Sequence, residues 1–282
     1  MTLALWLAES EARLRAGPHP ERARLDAGTL LLHALGRERA WLLAHPDEEV
    51  AEKDQKSAEE LIERRLRGEP IQYITGECEF YGLPFHVNRD VLIPRPETEH
   101  LVEEVLELAS RFASARIVDV GTGSGAIAVA LAHHLRSAHI TAIDCSAAAL
   151  EVARGNARRN GVGAKVRFAA GDLLAPVAHD QFEIVVSNPP YVPESDRASL
   201  AVEVREFEPA VALFAGGDGL SVSRRLIAQA REVLVPGGWI ALEIGQGQAE
   251  AVRALLADAG YGEIAFIPDL QGILRVAAAR RV

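Results

Sequence analysis

Val118-Asp119-Val120-Gly121-Thr122-Gly123-Ser124-Gly125 decides how the fold is read. A short apolar strand runs into alternating glycines, and an apolar helical pattern follows at 126–135. Glycines at a strand-to-helix turn allow tight curvature and let a ligand approach the backbone closely. The helix behind them aims its free N–H groups at that ligand. Asp144 closes the next predicted strand, 19 residues after Gly125. A carboxylate there can accept both ribose hydroxyls of an adenosine.

Outward from this loop, strand and helix patterns alternate. Strands are predicted at 117–120, 140–143, 166–169, 184–187, 239–244, 264–267 and 274–278, and helices at 126–135, 147–160, 221–234 and 248–259. Such alternation implies a mostly parallel sheet with both faces covered. The last two strands have no helix between them, so one should be antiparallel. Before residue 68 the pattern is helical throughout. Leu3, Trp6, Leu7 and Leu14 form one stripe, weakened by Ser10, and further helices fit 21–34, 38–44 and 48–67. The run Arg64-Arg65-Leu66-Arg67 reads as a solvated helix face. Residues 72–75 and 78–81 are β-prone, Gly82-Leu83-Pro84 reads as a turn, and 85–87 and 91–93 read as short strands. A helix is expected at 97–112, with Pro96 at its start. The expected organisation is a helical domain over 1–68, a β-hairpin linker over 69–96 and an α/β domain over 97–282.

The glycine loop alone does not choose a cofactor. Gly121, Gly123 and Ala126 satisfy the dinucleotide fingerprint, while Gly121, Gly123 and Gly125 satisfy the three-glycine form of methyltransferases. Asp172, in Gly171-Asp172-Leu173 after the third strand, suits either an adenine amino group or a local cap.

Ser187-Asn188-Pro189-Pro190-Tyr191 follows the fourth strand. Pro190 holds Pro189 extended, and neither proline offers an N–H to a ladder. The loop is therefore stiff and leaves acceptors free at the carboxyl ends of the strands. The nitrogen of a planar NH2 group is a poor nucleophile, because its lone pair is delocalised. The Asn188 side-chain oxygen and the Pro189 carbonyl can each accept one N–H and so aim that nitrogen at a methyl donor, while Tyr191 stacks on the planar group. Such positioning can remove on the order of 7–11 kcal/mol from a barrier. Hydride transfer has no use for this arrangement.

Composition narrows the field. The chain has 282 residues, 49% of them hydrophobic and 25% charged, and a formal net charge of −10. That acidity disfavours a nucleic-acid grip, which depends on phosphate contacts. Cys78 and Cys145 give no disulfide framework, and no metal-ligand spacing occurs, so no metal is expected. No apolar run approaches membrane length and no secretory pattern opens the chain, so a cytoplasmic protein is expected.

At this point the sequence resembles the HemK/PrmC protein-(glutamine-N5) methyltransferases, over nearly its whole length. The residues that carry the resemblance are 70–76, Leu92-Ile93-Pro94-Arg95-Pro96-Glu97-Thr98-Glu99, Asp119 to Gly125, Asn188 to Tyr191, and Glu208-Pro209 followed by Gly216-Gly217-Asp218-Gly219-Leu220. The resemblance implies a seven-stranded, Rossmann-like class I methyltransferase domain behind a helical domain that docks a class-1 peptide release factor. It implies S-adenosylmethionine held by Gly121, Thr122, Gly123, Ser124, Gly125, Asp144, Asp172, Leu173 and Asn188. It also implies a substrate glutamine, from a Gly-Gly-Gln motif, held by Asn188, Pro189, Pro190 and Tyr191, with Asn188, Pro189 and Tyr191 catalytic. A monomer without a stable nucleic-acid partner is expected. Some family members carry an aromatic residue where Leu173 stands. Arg95 and Glu99 suit either the cofactor pocket or a mutual pair, Glu208 either the substrate cleft or a turn, and Glu243 a strand position satisfied by the next loop. Three rival readings stand beside this one: a ribosomal-protein glutamine methyltransferase, an adenine or rRNA base methyltransferase that flips its target base out of the stack, and a non-enzymatic adaptor.

Overall fold

Apolar residues at helical spacing build the first part of the chain. The computed structural model describes all residues, Met1–Val282. Helix α1 (Leu3–Arg15) buries Leu3, Trp6, Ser10 and Leu14, so the stripe is continuous despite its serine. It is followed by α2 (Ala23–Leu35), α3 (Arg39–Ala44), α4 (Glu52–Leu66) and α5 (Ile71–Thr75). Their apolar faces share one core around Leu30, Leu31 and Ile62. Two expectations fail here. Arg65 is not a solvated residue: it is 2% exposed, donates to Asp26 at 2.7 Å and also reaches Glu203. Residues 71–75 are helical rather than β, because Tyr73 and Ile74 bond back to the Pro70 carbonyl and Gly76, left-handed, stops the turn.

The chain divides into two compact units, Met1–Glu77 with Leu200–Phe207, and Cys78–Ser199 with Glu208–Val282. At the boundary a hairpin begins, made of β1 (Glu77–Phe80) and β2 (Leu83–His86) and turned through Tyr81 and Gly82 at positive φ. Leu83 and Pro84 thus lie in a strand rather than the turn. Residues 91–93 form no strand. An Asx turn at Asn88–Asp90 and the two nearby prolines, which lack N–H donors, leave this stretch irregular. A 3-10 turn at Pro96–Thr98 then leads into α6 (Glu99–Ala109).

The α/β succession follows: β3 (Arg116–Val120), α7 (Ala126–His134), β4 (His139–Asp144), α8 (Ala147–Arg159), β5 (Val166–Ala170), β6 (Phe182–Ser187), α9 (Val202–Phe207), α10 (Ser221–Val233), β7 (Leu234–Glu243), α11 (Ala249–Asp258), β8 (Tyr261–Pro268) and β9 (Leu274–Arg281). The seven strands lie in the order β5-β4-β3-β6-β7-β9-β8. Only β9 runs against its neighbours. Period-two alternation distributes side chains to two cores. Ile117, Ile184 and Val186 face one, with α6 and α7, while Val118, Val185 and Leu242 face the other, with α10 and α11. Strand β7 starts at Leu234, ahead of the predicted start at residue 239. Pro236, Gly237 and Gly238 disguise its first half as a turn, and an irregularity in its pairing with β6 accommodates them.

The hairpin is tied to the glycine loop by one buried side chain. Asn156, on α8, accepts from His86 N at 2.7 Å and donates to the carbonyls of His86 (2.9 Å) and Ser124 (2.8 Å). Asn156→Ala removes three hydrogen bonds to backbone, the one to Ser124 buried and the two to His86 half-buried. We expect a loss of about 2 kcal/mol or more in urea unfolding, with a steeper loss of order in the glycine loop by hydrogen exchange at residues 121–125.

Candidate active site

The strand order reverses between β3 and β6, so the loops after these strands open side by side at one edge of the sheet, the place where ligands bind in such folds. Ser187 Oγ donates to the Val120 carbonyl at 2.6 Å and closes the seam between the two strand ends. A cavity of about 290 Å³ opens there. Its wall brings together Gly121, Thr122, Gly123, Ser124, Asp144, Asp172, Leu173, Asn188, Pro189 and Pro190.

Gly125 and Tyr191 do not line the cavity. Gly125 has φ +82, and a Cβ on it would meet the Ala153 Cβ at 3.0 Å and its Cα at 3.2 Å. It lets α7 start directly against α8. Tyr191 turns its hydroxyl to Glu243 Oε1 at 3.2 Å.

Asp144 is shaped by the backbone around it. Its Oδ2 accepts from Gly123 N at 2.8 Å and its Oδ1 from Ser146 N at 2.9 Å. Each carboxylate oxygen keeps acceptor capacity for a hydroxyl in the cavity. Asp172, largely exposed, forms an ion pair with Arg225 from α10, which also lines the cavity. Leu173 takes a positive φ of 50° beside it. The wall is thus aliphatic at that point.

Asp119 lies under the glycine loop, fully buried. Its Oδ2 accepts from Thr122 Oγ1 at 2.6 Å and Ala128 N at 3.2 Å. Burial, with a smaller contribution from the Asp144 charge, pushes its carboxyl up to about 7 despite these donors.

The Asn-Pro-Pro-Tyr loop is clamped on both sides. Asn188 Nδ2 donates to Thr98 Oγ1 at 3.1 Å, and Thr98 Oγ1 donates to Glu243 Oε2 at 2.6 Å. Burial raises the Glu243 carboxyl, while its two hydroxyl donors and Arg275 oppose that shift. Burial and the Glu243 charge likewise raise the Tyr191 phenol. The Tyr191 carbonyl accepts from Gln248 Nε2 at 3.0 Å. Gly219, at φ +71, passes so close that a Cβ there would lie 2.3 Å from the same carbonyl. The Gly-Gly-Asp-Gly-Leu motif therefore serves as a buttress for the loop. Arg95 pairs with Glu208 rather than with Glu99, whose carboxylate accepts from Tyr81 N at 2.8 Å.

Several wall residues escaped the sequence reading. Asp90, Val91 and Leu92 line the cavity from the irregular stretch after the hairpin. The apolar run 91–93 resembled a strand, and only the flanking Asn88 and Pro94 signalled otherwise. Arg225 sits on α10 and carries no motif of its own.

A sheet of this order, with a glycine loop on β3 and Asn-Pro-Pro-Tyr on β6, defines a seven-stranded α/β methyltransferase. The fold is similar to that of the hMettl16 catalytic domain solved with MAT2A 3'UTR hairpin 1, at TM-score 0.58 and 17% identity over 84% of each chain. Residues 6–76 match the PrmC N-terminal domain, and residues 97–217 match the methyltransferase small domain. The release factor glutamine methyltransferase of Koribacter versatilis is 43% identical over 282 residues, covering 100% of this chain and 99% of the relative. That of Bordetella pertussis is 47% identical over 258 residues, covering 91% and 94%. The chain belongs to the release factor glutamine methyltransferase family.

A carboxyl raised by burial binds its proton more tightly in the folded than in the unfolded chain. Between its ordinary 3.8 and about 7 it therefore costs stability as pH rises. Asp119→Asn removes that term. Its stability relative to wild type should climb through this window in urea melts, and a difference independent of pH would contradict the assignment.

Proposed function

We propose that the chain transfers a methyl group from S-adenosylmethionine to the side-chain amide nitrogen, N5, of the glutamine in the Gly-Gly-Gln motif of class-1 peptide release factors. The observation that carries the reading is the polarity of Asn188. Its amide nitrogen is committed to Thr98, which leaves its oxygen uncommitted at the cavity wall. No backbone donor reaches the adjacent Pro189 carbonyl. Two acceptors side by side suit the two N–H bonds of a primary amide. The near full-length likeness to relatives named for this activity supports the choice of substrate.

The cavity suits the cofactor. The Asp144 carboxylate takes the ribose hydroxyls, and the Gly121–Gly125 loop gives the closely approached backbone. Asp172 and Leu173 border the adenine, with Asp172 as acceptor for its amino group. Bound there, S-adenosylmethionine supplies an electrophilic methyl on a sulfonium, so that a C–S bond is exchanged for a C–N bond and the electron pair stays on sulfur. Asn188 and Pro189 hold the glutamine nitrogen in line, Pro190 stiffens the turn behind them, and Tyr191, outside the cavity wall, anchors the loop to Glu243. No strong base is required, because the nitrogen grows acidic as it is alkylated; its proton passes to water.

The substrate is a protein, and we assign no stable nucleic-acid partner. The helical unit serves release-factor docking, and the working form is a cytoplasmic monomer. No helix is long and apolar enough to cross a membrane.

Mass spectrometry of a class-1 release factor after incubation with the enzyme and cofactor should show one added methyl on the Gly-Gly-Gln glutamine. Tritium label entering ribosomal protein, rRNA or DNA instead would reassign the substrate. Asn188→Ala should lose turnover by about 100-fold or more while cofactor affinity changes far less. Asp144→Ala should show the reverse pattern, with weakened cofactor binding in calorimetry as its main defect.

A further inference from the structure

A side-chain amide is nearly symmetric in shape, so sterics alone do not choose which end faces a substrate. For an enzyme whose substrate is itself an NH2 group, the choice is decisive. With the Asn188 oxygen forward, the site holds an acceptor; with the nitrogen forward, two donors oppose each other and the substrate nitrogen is left unheld.

Two side chains outside the Asn-Pro-Pro-Tyr loop settle this choice. Thr98 has one hydroxyl proton, and at 2.6 Å it is given to Glu243 Oε2. Its remaining capacity is to accept, and that is met by Asn188 Nδ2 at 3.1 Å. The other Glu243 oxygen receives the Tyr191 hydroxyl. Thr98 is 4% exposed and Glu243 2%, so water has little access to substitute for either. A single buried carboxylate thus fixes the polarity of both polar side chains of the loop. We propose that Glu243 and Thr98 are positioning residues that lock the Asn188 amide with its oxygen toward the acceptor glutamine. The inference rests on the glutamine-methylation reading above.

The placement also accounts for the Pro-Arg-Pro-Glu-Thr-Glu motif. Arg95 is bound to Glu208, Thr98 to Glu243 and Glu99 to the backbone of Tyr81, three different parts of the same unit. Prolines on both sides of Arg95 stiffen the approach to Thr98. A residue that only stabilised this turn would not need a hydroxyl aimed at a carboxylate on β7.

The test compares Thr98→Val, which keeps shape and removes the hydroxyl, with Thr98→Ser, which keeps the hydroxyl. Glu243→Gln and the double variant Thr98→Val with Asn188→Ala complete the set. Turnover is measured on a class-1 release factor, cofactor affinity by calorimetry, and folding by thermal melts. Thr98→Val should lose about 100-fold in kcat, with cofactor affinity within about twofold of wild type. Thr98→Ser should restore most of the loss. Adding Thr98→Val to Asn188→Ala should cost little more than Asn188→Ala alone, since the hydroxyl acts through that amide. Glu243→Gln should resemble Thr98→Val; if it fails to fold, the threonine pair decides.

Independently of any substrate, the Asn188 side-chain amide protons should exchange more slowly by NMR in wild type than in Thr98→Val. Equal exchange in the two proteins overturns the inference. So does turnover of Thr98→Val within about threefold of wild type, or a Thr98→Ser variant no better than Thr98→Val. A wild-type enzyme that methylates no release factor defeats the functional reading instead, and the exchange measurement still judges the lock.

Discussion

The parallel pairing of β3 with β6 governs the rest of the molecule. Ile117 lies against Ile184, Val118 against Val185 and Asp119 against Val186. This register brings the glycine loop and the Asn-Pro-Pro-Tyr loop out at the same height. A one-residue slip would turn every side chain of β6 to the opposite core. It would also separate Ser187 from the Val120 carbonyl that seals the seam. Both faces of these strands pack into cores, so such a slip would disrupt two cores at once, and the geometry of the site is inherited from the packing of the sheet.

Buried carboxylates stand at both ends of that seam. Asp119 lies beneath the first loop and Glu243 behind the second, and burial raises both. Replacing either by an apolar residue would ease desolvation but leave hydroxyl or amide donors without partners. In each case the acid organises a loop. Asp119 gathers Thr122 and the first turn of α7, and Glu243 gathers Thr98 and Tyr191. The loops are held stiff in this way, at some cost to the stability of the folded chain.

Legibility in the sequence followed the range of the signal. The glycine loop, Asp144 and the Asn-Pro-Pro-Tyr loop could be read because each is a local pattern at the end of a strand. The central strands could be read because their apolar runs are unbroken. Residues 71–75 could not, since burial of Tyr73 and Ile74 outweighed their β preference. The first half of β7 was hidden by Pro236 and two glycines that a bulge absorbs. Arg65 resembled a surface charge, because its carboxylate partners stand 39 and 138 residues away. The roles of Thr98 and Glu243 have the same origin: they are 145 residues apart, and no spacing rule joins them.

The short segment Leu200–Phe207 has a consequence for dissecting the protein. It belongs with the N-terminal helices although it is inserted in the catalytic half, so the polypeptide passes between its two units three times. Glu203 within it partners Arg65, a guanidinium that also serves Asp26. A fragment ending at Glu77 therefore lacks one carboxylate of its own buried network. A single proteolytic nick beside Glu77 would not release the helices as a complete body. Clean excision requires further cuts on either side of 200–207, and grafting these helices onto another enzyme must carry that distant octapeptide along.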